Sequence, residues 1–188
     1  MKIILAGPPR SGKSCLREGL KQAVRAIPGA PYPYVITGCP DGEGSWFQAA
    51  AARSPEEARR LKEDYKSSFS PAFVRRVADN VRNCTCPLTL VDIGGRISAE
   101  NYEICRDADC AVLVLGRKSA LAEWQQFCED LDLQILAILY THLDHEDRVL
   151  SEGSTWMGDL GNFKRGTPIE ERQVVKSLAS HLVKLTDE

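Results

Sequence analysis

The stretch Gly-Pro-Pro-Arg-Ser-Gly-Lys-Ser, residues 7–14, directly follows the short apolar run Lys2 to Ala6. Such a run is typical of a buried parallel strand, and the residues from Ser14 to Ile27 can form a helix. Gly7 and Gly12 permit backbone angles that other residues disfavour, so successive N–H groups can point inward at the start of that helix. The sequence therefore predicts a phosphate-binding loop between a strand and a helix.

The residues of this loop have distinct expected roles. Lys13 is expected to reach the β- and γ-phosphates of a nucleoside triphosphate and to belong to the catalytic residues, and the Ser14 hydroxyl is expected to bind Mg²⁺. The residues predicted to contact the nucleotide within the loop are Gly7, Pro8, Pro9, Arg10, Ser11, Gly12, Lys13, Ser14 and Cys15.

Asp92 comes at the end of a second apolar run, Leu88 to Val91. An acidic residue at this position commonly holds Mg²⁺ through water, and Gly95 has the spacing at which its N–H contacts a γ-phosphate. We therefore place Asp92 in the catalytic and metal-binding set; the alternative is an aspartate that caps a turn. Its neighbour Ile93 offers no carboxylate to activate water, which argues against the mechanism of ring-forming ATPases.

Apolar runs alternating with helical segments predict a doubly wound α/β fold with a mostly parallel five-stranded sheet and flanking helices, which is a P-loop NTPase fold when combined with the loop. Residues 1–188 are expected to form one domain. A helical insertion at about 53–83 is either solvated or a mobile lid. Residues 151–165 are expected to form a long loop or a hairpin. The predicted strands are Lys2–Ala6, Tyr34–Thr37, Leu88–Val91, Cys110–Leu115 and Gln134–Tyr140, and the predicted helices begin near residues 14, 55, 71, 99, 120 and 168.

The composition narrows the class of protein. The chain has 188 residues, a net charge of −2 and 43% hydrophobic residues. This composition is typical of soluble globular proteins, and the net charge gives no overall positive electrostatic field that would attract nucleic acid. Its longest apolar run, Ile135 to Tyr140, is too short to cross a bilayer, and no targeting segment is recognisable, so we expect a cytoplasmic protein without membrane partners. The seven cysteines are not spaced as in disulfide-rich domains. The spacing of Cys84 and Cys86 differs from that of cysteine ligands in zinc sites.

Two carboxylates and a tryptophan, Asp41, Glu43 and Trp46, follow the predicted second strand. The carboxylates are candidates to accept a proton from an attacking hydroxyl, and Trp46 is a candidate to stack on a base. The alternative, favoured by the local sequence alone, is a glycine-rich turn with exposed acids and a half-buried tryptophan.

Thr141-His142-Leu143-Asp144 follows the fifth predicted strand. It is weakly similar to the guanine-binding motif of GTPases, with histidine where those proteins have lysine. A plain turn is the alternative.

Four arginines are candidates to clamp a phosphate or a substrate, although most arginines simply lie on the surface. These arginines are Arg10, Arg96, Arg117 and Arg165.

Several segments together resemble one family. These segments are the loop at residues 7–14, Cys-Pro-Asp-Gly-Glu-Gly-x-Trp at 39–46, Val-Asp-Ile-Gly-Gly-Arg at 91–96 with Glu-Asn at 100–101, and Lys-Arg-Gly at 164–166. They resemble the ATPase-like, AAA-type domain that is fused, in cyanobacteria and other bacteria, to a CRISPR-associated ring nuclease that degrades cyclic oligoadenylate. The chain shows no ring-nuclease domain, sensor arginine or Asp-Glu pair, so cyclic-oligoadenylate cleavage is not expected of it and its motifs look closer to small P-loop kinases.

The resemblance implies ATP and Mg²⁺ as ligands and a role in antiviral defence. It also favours Asp41, Glu43 and Trp46 as site residues over a simple turn. We expect phosphoryl transfer to a nucleotide or RNA hydroxyl, with Asp41 or Glu43 as base. The alternatives are a slow regulatory ATPase switch and a non-catalytic nucleotide-binding module. A ring-nuclease domain or subunit is an expected partner, and the chain can act as an oligomer.

Overall fold

The structure is a computed structural model that describes residues 1–39, 69–144, 146–163 and 167–186. In these residues, seven strands form one sheet in the order β2-β3-β1-β4-β5-β7-β6. The strands are β1 (Lys2–Ala6), β2 (Pro33–Gly38), β3 (Leu88–Ile93), β4 (Cys110–Leu115), β5 (Gln134–Thr141), β6 (Arg148–Glu152) and β7 (Trp156–Leu160). All neighbouring strands are parallel except β6 and β7, which form an antiparallel hairpin.

Five α-helices occur in the same described segments. They are α1 (Lys13–Arg25), α2 (Pro71–Asn83), α3 (Ala99–Cys105), α4 (Leu121–Asp130), which follows a short 3₁₀ turn at Lys118–Ala120, and α5 (Gln173–Lys184). Ser70 and Ser98 begin α2 and α3 by accepting hydrogen bonds from Phe73 N and Asn101 N, as N-cap serines do. None of the helices in the described residues is long and apolar enough to cross a bilayer.

The core lies in two layers, one on each face of the sheet. Successive side chains of a strand point to opposite faces, so Ile3 and Leu5 of β1 pack with α1 and α5, whereas Ile4 and Ala6 pack with α2, α3 and α4. The predicted mostly parallel α/β architecture with helices on both faces is therefore confirmed. Cysteines contribute to this core, and burial raises the pKa of Cys110 and of Cys128 to about 12.

The predicted number of strands was wrong, because the sheet has seven strands and not five. The two additional strands, β6 and β7, form the hairpin that was one of two alternatives for residues 151–165, and β7 extends the parallel sheet by pairing with β5. Trp156 anchors β7, since its side chain is fully buried and its Nε1 donates to Ser177 Oγ of α5 at 2.9 Å.

The predicted start of the last helix was also wrong. The Thr167-Pro168 pair was expected to cap it, but α5 begins at Gln173 with Arg172 as its N-cap. Ile169 is 2% exposed and packs closely against Gly19 of α1. The residues directly before α5 form a turn, in which Arg172 N donates to Ile169 O at 3.0 Å. Burial of one isoleucine therefore takes precedence over a favourable local cap.

Candidate functional site

The candidate site lies where β1 ends and α1 begins. β1 is flanked by β3 on one side and by β4 on the other, so the chain crosses to opposite sides of β1. In open α/β sheets, such a switch point leaves a crevice outside the carboxyl ends of the strands. The glycine-rich loop, residues 7–12, occupies this position directly before Lys13, the first residue of α1.

The loop has an unusual backbone. Gly7, Arg10 and Gly12 have φ angles of 145°, 63° and 93°, all in the region that residues with a side chain rarely adopt. Positive φ at every second residue, as at Arg10 and Gly12, is typical of backbone concavities whose N–H groups bind anions, and Ser11 N, between these two residues, donates to Pro8 O at 3.3 Å. Gly12 is the N-cap of α1, so the loop leads directly into the positive N-terminal end of the helix. An anion is the ligand that this arrangement suits.

Lys13 folds back over the loop. Its Nζ donates to Gly7 O at 2.8 Å and to Pro8 O at 3.0 Å, and the residue is 7% exposed. The ammonium therefore lies within the loop and not in bulk solvent. Since these two carbonyls belong to the first residues of the loop, Lys13 also fixes the loop's curvature.

Neighbouring strand ends hold the loop from two sides. A Cβ atom on Gly95, after β3, would lie 2.5 Å from Pro9 N, so this glycine permits close backbone contact. On the other side, Thr141 of β5 donates its hydroxyl to Ser11 O at 3.0 Å. Asn101 in turn holds the segment around Gly95, because its Nδ2 donates to Gly94 O and Arg96 O at 2.9 and 2.6 Å.

Asp92 lies on the same face of the sheet as α1. It is two residues after Leu90 and four after Leu88, which pack in the α1 layer, so it shares their face of the strand, and it is 3% exposed. Its Oδ2 accepts a hydrogen bond from Arg17 Nη1 at 3.1 Å, which forms a buried ion pair. Asp92 is thus a buried residue of β3, and Arg17 is one of its partners.

Sequence reasoning missed Arg17. The signal was present, because Arg17 lies four residues after Lys13 and within the apolar stripe of α1 that includes Leu16 and Leu20. Residues spaced in this way share one helix face. A charged residue on that face must be paired with an opposite charge or hydrogen-bonded.

The other predicted residues divide into three groups. Arg10, Arg96 and Arg117 are exposed, in the loop and just after β3 and β4, at the same edge of the sheet. His142 Nε2 lies 3.1 Å from Asp159 Oδ1, and Asp144 is exposed. Asp41, Glu43, Trp46, Arg165 and most of the expected insertion at 53–83 lie outside the described residues.

The residues present fit a nucleotide with magnesium. Ser14 and Asp92 offer the oxygen ligands that Mg²⁺ prefers, and Mg²⁺ bound with phosphates needs few ligands from the protein. Ser11 Oγ is buried in the loop without a hydrogen-bond partner, as a hydroxyl that faces a ligand would be. No group of three or more His, Cys, Asp or Glu side chains that could hold a metal ion by itself occurs within the described ranges.

Comparison with known proteins adds no assignment. No protein-family model matches the chain, and no curated protein matches it. The geometry of the loop and its buried charges therefore carries the functional proposal.

Proposed function

We propose that this protein is a P-loop NTPase that binds ATP with Mg²⁺ at residues 7–14. The observation that carries the proposal is the loop's backbone conformation, with positive φ angles at Gly7, Arg10 and Gly12 around the buried ammonium of Lys13. The switch-point position at the carboxyl end of β1 supports it.

Each part of the loop then has a role in binding. The inward N–H groups bind phosphate oxygens, and Lys13 adds a charge-assisted hydrogen bond to the terminal phosphates. Ser14 and Asp92 are the residues that hold Mg²⁺, which lowers the charge on the phosphates when bound. Arg10, Arg96 and Arg117 are exposed at this edge, and their proposed role is to contact a phosphate group or a substrate.

The proposed reaction is phosphoryl transfer from ATP to a hydroxyl of a nucleotide or RNA, in a bacterial antiviral system. The family resemblance supports this choice, and the arginines at the strand ends supply charge stabilisation of the kind that phosphoryl transfer requires. Hydrolysis by a regulatory switch and nucleotide binding without turnover are the alternative functions. A ring-nuclease domain or subunit is the proposed partner.

Incubation with γ-labelled ATP and an RNA pool separates these functions. Label on RNA supports the kinase, label in inorganic phosphate supports the ATPase, and binding of ATP without release or transfer supports the binding module.

Parallel titration calorimetry with ATP and GTP tests which nucleobase the site prefers. We expect ATP to bind at least as tightly as GTP; a tenfold preference for GTP that Asp144→Ala removes would assign guanine instead. Absence of any triphosphate binding would overturn the proposal.

Asp92→Asn is expected to remove most of the magnesium-dependent stabilisation by ATP. Asparagine has one carbonyl oxygen and no charge, so it binds Mg²⁺ weakly, whereas the loop's N–H groups and Lys13 are unchanged. Melting temperatures with ATP, measured with Mg²⁺ and with EDTA, check this result. Asp79→Asn on the exposed face of α2 is the control. Equal magnesium effects in Asp92→Asn and wild type would remove Asp92 from the metal site.

Gly95→Ala is expected to weaken ATP binding by at least about 10-fold, because a shifted loop would lose at least one charge-assisted hydrogen bond to phosphate, worth about 1.5–3 kcal/mol. The new Cβ would lie 2.6 Å from Pro9 Cα and 3.0 Å from Pro8 C. Both are backbone atoms, so the loop itself must shift. Calorimetry compares this variant with Gly153→Ala, where a Cβ meets nothing closer than Ser151 Oγ at 3.5 Å. Equal affinity of the two variants would show that contact with Gly95 does not shape the loop.

A further inference from the structure

Two cysteines, separated by one residue, lie in the segment that joins α2 to β3. Cys84 is the C-cap of α2, and Cys86 comes two residues before β3 begins at Leu88. We infer that these two thiols form a redox-active pair, which closes to a disulfide by exchange with a small-molecule disulfide and reopens with a reducing thiol. This inference goes beyond the proposed function, because the pair precedes β3, whereas Asp92 lies near the other end of that strand.

The placement of the two thiols is the first support. Cys84 has an extended backbone, with φ −71° and ψ 123°, and both cysteines are partly exposed. Because only one residue separates them, their Cα atoms are at most about 7 Å apart, which is near the upper limit that a disulfide can bridge. Their side chains are also hydrogen-bonded to each other. The two sulfurs are therefore neighbours, and a small backbone adjustment suffices to join them.

The surroundings of Cys84 favour its thiolate, which is the second support. Its Sγ lies 3.1 Å from Thr89 Oγ1, within hydrogen-bonding distance. Although burial acts to raise the pKa of Cys84, hydrogen bonds from Thr89 and Cys86 lower that pKa below its ordinary value, and the charge of Lys2 acts in the same direction. The pKa of Cys86 is raised by burial and by its hydrogen bond to Cys84. Cys84 is therefore the nucleophile of the pair, and Cys86 is the resolving thiol.

The exchange takes place in two steps. The Cys84 thiolate attacks one sulfur of a small-molecule disulfide, which forms a mixed disulfide and releases one thiolate. Cys86 gives its proton to that thiolate and attacks the Cys84 sulfur, which forms the Cys84–Cys86 disulfide and releases the second thiolate. The two cysteines are thereby oxidised by two electrons, and the small-molecule disulfide is reduced to two thiols.

The other five cysteines give internal references for reactivity. Burial raises the pKa of Cys110 and Cys128 to about 12 and raises the pKa of Cys105 as well. These three thiols are therefore protonated at neutral pH. Cys15 and Cys39 are partly exposed, so the test must distinguish them from the pair.

Exchange with oxidised glutathione, without nucleotide or metal, gives the test. The reduced full chain is incubated at neutral pH, trapped with N-ethylmaleimide and digested with trypsin. Cleavage after Arg82 and Arg96 gives a peptide of residues 83–96 that contains Cys84 and Cys86 and no other cysteine. We expect this peptide to carry no label and to be about 2 Da lighter than its dithiol form, because two hydrogen atoms are lost. Dithiothreitol should restore the labelling of both thiols.

Single variants assign the two roles. Cys86→Ser should keep glutathione as a mixed disulfide on Cys84, whereas Cys84→Ser should react at least about 5-fold more slowly, because the thiolate is the nucleophile. Cys39→Ser is the control and should close the pair at the wild-type rate.

Two outcomes would overturn the inference. One is folded wild type whose peptide 83–96 stays fully labelled after treatment with oxidised glutathione, and this result decides if a variant does not fold. The other is an equal reaction rate of folded Cys84→Ser and Cys86→Ser. Both measurements are made without nucleotide, so they are distinct from ATP titration, whose failure would overturn the proposed function alone.

Discussion

Replacing Arg17 with methionine should lower the free energy of unfolding by about 3–5 kcal/mol, the cost of leaving one member of a buried ion pair without its partner. The side chain of Asp92 is 5% exposed, so water cannot take over the role of the guanidinium. Methionine fills much of the same volume, and loss of packing is therefore a minor part of the effect. Urea denaturation at neutral pH, without magnesium, measures the change.

Two variants give this measurement its controls. Arg17→Met/Asp92→Leu should recover most of the lost stability, because apolar replacement of a whole buried ion pair is often neutral or stabilising. Arg82→Met should cost less than about 1 kcal/mol, because Arg82 is 42% exposed in its ion pairs with Asp79 and Asp107. If Arg17→Met were no less stable than Arg82→Met, the buried pair would not be an important contact of the fold.

Lys13→Ala should weaken ATP binding by about 10–100-fold, on the scale of about 1.5–3 kcal/mol for a charge-assisted hydrogen bond. Lys13 also bonds to Gly7 O and Pro8 O, so its loss frees the first residues of the loop as well. Titration calorimetry with ATP and Mg²⁺ measures the affinity, and the melting temperature reports whether the variant is folded.

Lys21→Ala is the matched control, since Lys21 is a half-buried lysine on the same helix, two turns beyond Lys13. It should bind ATP like the wild type. Unchanged affinity in folded Lys13→Ala would contradict the phosphate-binding assignment of the loop. An equal loss in Lys21→Ala would instead indicate that the general positive charge of α1 attracts the nucleotide.

The central strands could be predicted because their sequences are dictated by burial. Every residue of β3 and β4 is buried, so β4 is a continuous apolar run and β3 is apolar except for Thr89 and Asp92. The edge hairpin could not be predicted in this way. All five residues of β6 are exposed, and β7 contains Gly158 and Asp159, so its place in the sheet depends on pairing with β5 and on Trp156 in the core.

The candidate site was predictable to the extent that it is local in sequence. The loop, Lys13 and Asp92 were recognised from motifs, and the structure brings Lys13 and Asp92 to the α1 side of the sheet. Contacts between distant residues, such as Thr141 with Ser11 and Gly95 with Pro9, leave no signal in a single sequence. Arg17 was missed because the pattern of α1, an apolar stripe that includes one charged residue, is also compatible with that residue lying on the solvent-exposed face of the helix.

The support of the loop by distant residues has a consequence for synthesis of the chain. Residues 7–12 leave the ribosome before the residues that support them, since Thr141 is 130 residues behind Ser11. Phe163, whose ring lies where a Cβ on Gly12 would be, is later still. Long-range contacts form only after the intervening chain is available. A nascent chain thus carries its recognition motif well before it acquires the complete setting of that motif.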